Sequence, residues 1–175
     1  MKIGYSSRVT ADFRFPLPHQ DMRLFAYFEG AEPMKTVAQM LKGKPTGAIS
    51  IGPDAAVVDA LKILAEKDIG AVLVMEDTRL VGIISERDYA RKVALMGKSS
   101  TDTPVSEIMT RQVVFVTPAQ TNEECMALMT QKHIRHLPVI ENDRVVGVLS
   151  IGDLVKDVIS EQQFIISQLE RYIHR

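Results

Sequence analysis

Apolar and polar positions along the chain form a pattern that occurs twice. Residues 49 to 93 align without a gap on residues 114 to 158 at a constant offset of 65, and eleven of the aligned pairs are identical. Each copy begins with a short apolar run (Ile49 to Ile51; Val113 to Val116), expected as a strand, and a proline follows it, Pro53 or Pro118, which has no N–H for a ladder and starts a turn. A helix is expected next. Val57, Leu61 and Leu64 recur at helical spacing in the first copy, as do Met126 and Met129 in the second. Two aliphatic runs then flank a polar turn: Ala71 to Met75 and Leu80 to Ile84 around Glu76-Asp77-Thr78-Arg79, and Leu137 to Ile140 and Val145 to Leu149 around Glu141-Asn142-Asp143-Arg144. Both read as hairpins, and a closing helix is expected from Ser85 and from Ser150.

The expected order is therefore β-α-β-β-α twice, an α/β (α+β) architecture, with lead-in helices at Val37 to Leu41 and Val105 to Met109. This divides the chain into an aromatic-rich extension (1–33), a first repeat (34–96), a Gly-, Ser- and Thr-containing linker (97–104), a second repeat (105–160) and a C-terminal helix (161–175). A unit of about 55 residues buries too little surface to stand well alone, so the repeats should pack together with pseudo-two-fold symmetry and create clefts between them.

Composition narrows the function classes. With 46% apolar and 25% charged residues the chain is of ordinary globular type. A net charge of −1 gives no global field for nucleic acid or an anionic membrane, and no basic stripe or helix-turn-helix segment accompanies the repeats. Charged residues interrupt every apolar run, so no membrane span is expected, and the N-terminus lacks a secretory leader's apolar core; the expectation is a cytoplasmic protein. The one cysteine, Cys125, has acidic neighbours and reads as a core residue of a helix.

The segments Gly82-Ile83-Ile84-Ser85-Glu86-Arg87-Asp88 and Gly147-Val148-Leu149-Ser150-Ile151-Gly152-Asp153, set at one offset within a repeated strand and helix order, resemble the CBS (cystathionine β-synthase) domain pair, or Bateman module, over roughly residues 34 to 160. Ile134-Arg135-His136-Leu137-Pro138-Val139 is similar to the family's helix-to-strand turn. The resemblance implies two inter-repeat clefts for adenosine-containing ligands such as AMP, ADP, ATP, S-adenosylmethionine or NAD. It assigns the ribose hydroxyls to Asp88 and Asp153 and the phosphate neighbourhood to Ser85 and Ser150. Independently, a serine at a strand-to-helix junction stands beside unsatisfied backbone N–H groups that favour an anion, and a carboxylate three residues on can accept from both hydroxyls of a diol.

A second reading stays open at this point, because Ser-x-x-Asp before a helix is also a capping box. Two features favour binding: a glycine precedes the motif at the same place in both copies, and basic residues gather around only one of them. By the family's arrangement the Asp88 cleft receives Arg135 and His136 beside its own Arg87, which suits a phosphate. The Asp153 cleft receives Gly70 and Ala71 and is expected to hold little positive charge. Ile49 and Val114 are expected to flank the adenine.

His133 and His136 lack the cysteine or carboxylate partners of a metal site, and adjacent Glu123 and Glu124 read as a solvated face. No catalytic constellation is found, so an enzyme is not expected. Val158, Ile165, Leu169 and Tyr172 recur near helical spacing with nothing in their own repeat to cover them, which together with the family's habit of pairing points to a homodimer. The expected function is an adenine-nucleotide sensor that signals to a protein partner through its dimer; the alternative is an interaction module whose Ser-x-x-Asp motifs only cap helices.

Overall fold

The computed structural model describes residues 35–44 and 47–173, with the side chain of Tyr172 left aside. The aromatic extension of residues 1–33 lies outside the described residues, as does the expected role of Tyr172.

The elements run α1 (Val37–Leu41), β1 (Ser50–Ile51), α2 (Val57–Lys67), β2 (Ala71–Glu76), β3 (Arg79–Ser85), α3 (Glu86–Tyr89), a π-turn (Ala90–Ala94), α4 (Val105–Ile108), α5 (Asn122–Lys132), β4 (His136–Glu141), β5 (Arg144–Ser150) and α6 (Ile151–Ile173). The repeat seen in sequence is a repeat in structure. β2 and β3 form an antiparallel hairpin with a bulge at Val74/Met75, and β4 and β5 form its counterpart with a bulge at Val139/Ile140. α2 and α5 both end in a left-handed residue, Asp68 (φ 51°) and His133 (φ 54°), which turns the chain into the following hairpin. The closing helix of the second repeat and the expected C-terminal helix are one continuous element.

One expected strand is reduced. β1 lies parallel to β2, where the Leu73 N–H donates to the Ile49 carbonyl at 3.3 Å. The residue matching Leu73 is Pro138, which has no N–H to offer Val114. Val113 to Val116 therefore shrinks to one bridge at Val116, whose N–H donates to the Pro138 carbonyl at 3.0 Å and whose carbonyl accepts from Ile140 at 2.9 Å. The helix stripe of the second repeat also differs from the expected Met126 and Met129: Asn122, Cys125 and Met129 are buried, and Met126 is half-buried.

The lead-in helices hold the main surprise, because each packs on the other repeat. Val37 of α1, with Met40 and Leu41 at its edge, joins the core of Val116, Cys125, Met129, Leu137, Val139, Leu149 and Leu154. Val105 and Ile108 of α4, with Met109, join the core of Val57, Ala60, Leu64, Val72, Val74, Ile84 and Val93. Backbone bonds fix the exchange: Val37 N–H donates to Gln120 and Asn122 N–H to Lys35, while Val57 N–H donates to Thr103 and Val105 N–H to Ala55. Neither core is complete without a segment from the other copy, so the repeats are bound to fold as one body.

Candidate functional site

Both Ser-x-x-Asp motifs sit where the second hairpin strand ends and a helix starts. At the first, Ser85 Oγ donates to Asp88 Oδ2 at 2.6 Å, the Ser85 N–H donates to the same oxygen at 3.0 Å, and the Asp88 N–H donates back to Ser85 Oγ at 3.4 Å. At the second, the corresponding distances between Ser150 and Asp153 are 2.6, 2.6 and 3.3 Å. Each is a complete capping box that satisfies orphan amide groups at a helix start.

The two glycines before the motifs have a packing cause. A β-carbon on Gly82 would lie 2.5 Å from Met109 Sδ and 3.2 Å from the Thr110 carbonyl, and one on Gly147 would lie 2.7 Å from Leu41 Cδ2. Met109 and Leu41 end the exchanged lead-in segments, so the glycines admit a crossing helix and say nothing about a ligand. That corrects one expectation drawn from the sequence.

Charge corrects another. Lys44, which follows the exchanged helix α1, reaches the second motif, where its Nζ contacts Asp153 Oδ2 at 2.5 Å and donates to the Val148 carbonyl at 3.0 Å. The Asp153 junction is thus not poor in positive charge, and Lys44 is the residue that sequence reading missed. Partial burial pushes the Asp153 carboxyl up, but hydrogen bonds from Lys44 and Ser150 outweigh it and hold the pKa below the usual carboxylate value. At the first junction the remaining oxygen, Asp88 Oδ1, meets Lys92 Nζ at 2.7 Å and accepts from Thr110 Oγ1 at 3.4 Å. Lys92 also donates to the Ile108 carbonyl at 2.6 Å.

The helix-to-strand turns of the two repeats meet at these junctions. Arg87 Nη1 donates to the His133 carbonyl at 2.9 Å, so the basic side chain of the first motif is tied to the turn that carries Arg135 and His136. Arg87 and Arg135 are both exposed. The His136 ring packs over Gly70, with its Cε1 3.1 Å and the Glu86 carboxylate 3.8 Å from where a β-carbon would stand. Burial lowers the His136 pKa and the neighbouring Arg135 lowers it further, while Asp153 and Glu86 pull it up and Lys44 opposes them. His136 therefore lies between the two junctions. Ile49 is 40% exposed, whereas Val114 packs against the second core. A hollow of about 270 Å³ opens beside Asp153, lined by Gln39 and Met40 of α1, by Lys35 and Lys44 on either side of that helix, and by α6 residues that include Lys156 and Asp157.

Among the described residues no group of three or more His, Cys, Asp or Glu is arranged to hold a metal, and no helix is long and apolar enough to cross a membrane. Cys125 is buried as expected; burial first, then Glu124 and Glu123, push its thiol up to about 11.

Two exchanged α+β repeats carrying capped Ser-x-x-Asp junctions define a Bateman-type module. The family model of the CBS domain matches residues 44–95 and 105–160, and the chain belongs to that family. CBS-domain proteins are generally regulatory rather than catalytic. The chain is 37% identical over 147 residues to the "CBS domain-containing protein CBSX3, mitochondrial" of Arabidopsis thaliana, which covers 79% of this chain and 71% of the relative. A crystal structure of the CBS domain of NE2398 is 53% identical, covering 73% of this chain and 99% of that one, with a TM-score of 0.70. The CBS domain pair of protein MJ0100, solved in complex with 5-methylthioadenosine and S-adenosyl-L-methionine, is 27% identical with a TM-score of 0.65 and covers 74% of this chain and 99% of that one.

Proposed function

We propose that the chain is an adenine-nucleotide-responsive regulatory module, without catalytic activity of its own, that binds AMP, ADP, ATP or NAD at the Asp88 junction. The observation that carries this reading is the Arg87 to His133 bond, which ties the basic side chain next to Asp88 to the turn that carries Arg135 and His136. Arginine forks match phosphate oxygens, and charge-assisted bonds are the strong ones. Asp88 keeps one oxygen on its cap and has one, Oδ1, held by a lysine that a ribose diol can replace. The adenosine derivatives held by the MJ0100 domain pair support the ligand class. Ser85 and Ser150 lie near the phosphate in this reading, Ile49 flanks the base, and Asp153 with Val114 forms a second, weaker site.

Signalling follows from differential affinity. A homodimer with two arrangements, read by a protein partner, shifts between them by as much as the ligand prefers one. We place the protein in the cytoplasm, which fractionation tests; the mitochondrial designation belongs to the plant relative. Calorimetric titration of AMP, ATP and NAD into the wild type and Asp88→Asn tests the site.

A second reading has its own observation: both caps are complete, both glycines are explained by packing, and both aspartates are paired with a lysine. On that reading the junctions are structural and the chain is an interaction module. Absence of heat with every nucleotide would favour it.

A further inference from the structure

Helix α6 outlives its core. Among its described side chains Leu154 is the last that is fully buried, yet large apolar ones continue along it in solvent: Val155 (45% exposed), Ile159, Phe164, Ile165, Ile166, Leu169 and Ile173 (75%). Five of them (155, 159, 166, 169 and 173), with Gln162 in the one gap, step by four and three residues alternately, while Phe164 and Ile165 lie off that line. Those five with Gln162 follow the 3.5-residue repeat of a helix that faces another helix. The alternate positions hold isoleucine three times (159, 166, 173), and the intervening ones hold Val155, Gln162 and Leu169. Isoleucine throughout the first set, with Leu169 in the second, favours two strands.

We propose that this face pairs with the same face of a second copy of the chain, as a parallel two-stranded coiled coil in which Gln162 of each helix hydrogen-bonds across the seam. The inference rests on the homodimer part of the reading above and is independent of ligand binding. The area argues for it: the five apolar seam residues, 45–75% exposed, offer roughly 500 Å² per chain, in the upper range of what a monomer leaves to solvent, so two faces come to about the 1,000 Å² of a specific interface. Orientation follows from Gln162. An antiparallel pair sets Gln162 against Ile166 twice and buries two amides unpaired, a cost larger than the return from the exposed Lys156 to Glu170 charge pairs it would create. A parallel pair sets the two glutamines together and lets them fix the register.

Sedimentation of the full chain at about 100 μM, above the micromolar Kd that marks the weak end for such areas, is expected to show a dimer. Ile166→Asp is expected to weaken it at least about tenfold while far-UV circular dichroism and the melting curve of the body persist. Gln162→Leu is expected to tighten it. Ile173→Cys alone should crosslink to itself on oxidation, and the buried Cys125 does not compete. A monomeric wild type would overturn both the homodimer and this pairing. A dimer indifferent to both Ile166→Asp and Gln162→Leu would keep the homodimer and overturn the coiled coil, and crosslinking that requires Val155→Cys together with Ile173→Cys would overturn the parallel orientation.

Discussion

The Asp88 and Asp153 junctions are built on the same cap and differ in where their lysine comes from. Asp88 is met by Lys92, one turn further along its own helical segment, whereas Asp153 is met by Lys44, which arrives with the exchanged helix α1 from the other repeat. The first pairing is local in sequence, although Lys92 also donates to the Ile108 carbonyl and Thr110 to Asp88, on the segment exchanged from the other repeat. The second holds the repeats together and reports on their exchange. The cap is the same in both copies and its counter-charge is not.

The two glycines offer the hardest test of this comparison. Gly82→Ala is expected to destabilise by about 2 kcal/mol, because the new methyl meets both Met109 and the Thr110 backbone carbonyl, and over-packed cores cost roughly 1–3 kcal/mol. Gly147→Ala meets only the end of Leu41, which can turn aside, and should cost less than about half as much. Denaturant melts of the two variants settle the order; equal effects would mean that the exchanged segments are not packed as described.

Lys44→Met removes the long-range pair and is expected to cost about 0.5–1 kcal/mol near neutral pH, as for other half-exposed ion pairs. The sign of its pH dependence is fixed by Asp153. Its folded pKa lies below the unfolded value near 3.8, so its stabilisation is present above that value and is lost as pH falls through the folded pKa. Melting curves of Lys44→Met should therefore converge on wild type in strong acid. His136 acts in the same direction at higher pH. Its folded pKa is lowered from 6.5, chiefly by burial, so wild-type stability should fall as pH drops below about 6.5, and His136→Gln should flatten that slope.

The smallest effect concerns Pro138. Pro138→Leu restores a donor for the Val114 carbonyl but frees the unfolded chain, two terms of about 0.5–1 kcal/mol that nearly cancel. Stability should barely move, while the new amide at 138 exchanges slowly. A fast-exchanging amide would show that proline is not what interrupts the lead strand.

The repeat, the two hairpins, the capped junctions and the buried Cys125 were legible because periodicity and offset report local structure directly. The exchange of lead-in helices was not, since the apolar face of Val37 to Leu41 shows that a core covers it and not which one. Lys44 escaped for the same reason: it meets Asp153 across a separation of 109 residues, and a single sequence carries no trace of that pairing. The strand at Val113 to Val116 was overread because its partner's proline, Pro138, lies in another segment of the chain. The glycine of each motif was visible, but its cause was visible only once Met109 and Leu41 were seen crossing it.

The most direct test of the sensor reading is calorimetric titration of AMP, ATP and NAD into wild type, Asp88→Asn and Asp153→Asn, each confirmed folded by its melting curve. The account predicts that at least one nucleotide binds the wild type, that Asp88→Asn weakens it by about tenfold or more, equivalent to roughly 1.4 kcal/mol, and that Asp153→Asn weakens it less. Binding that Asp88→Asn leaves unchanged, or none by the wild type, would contradict the account and leave the two junctions as helix caps.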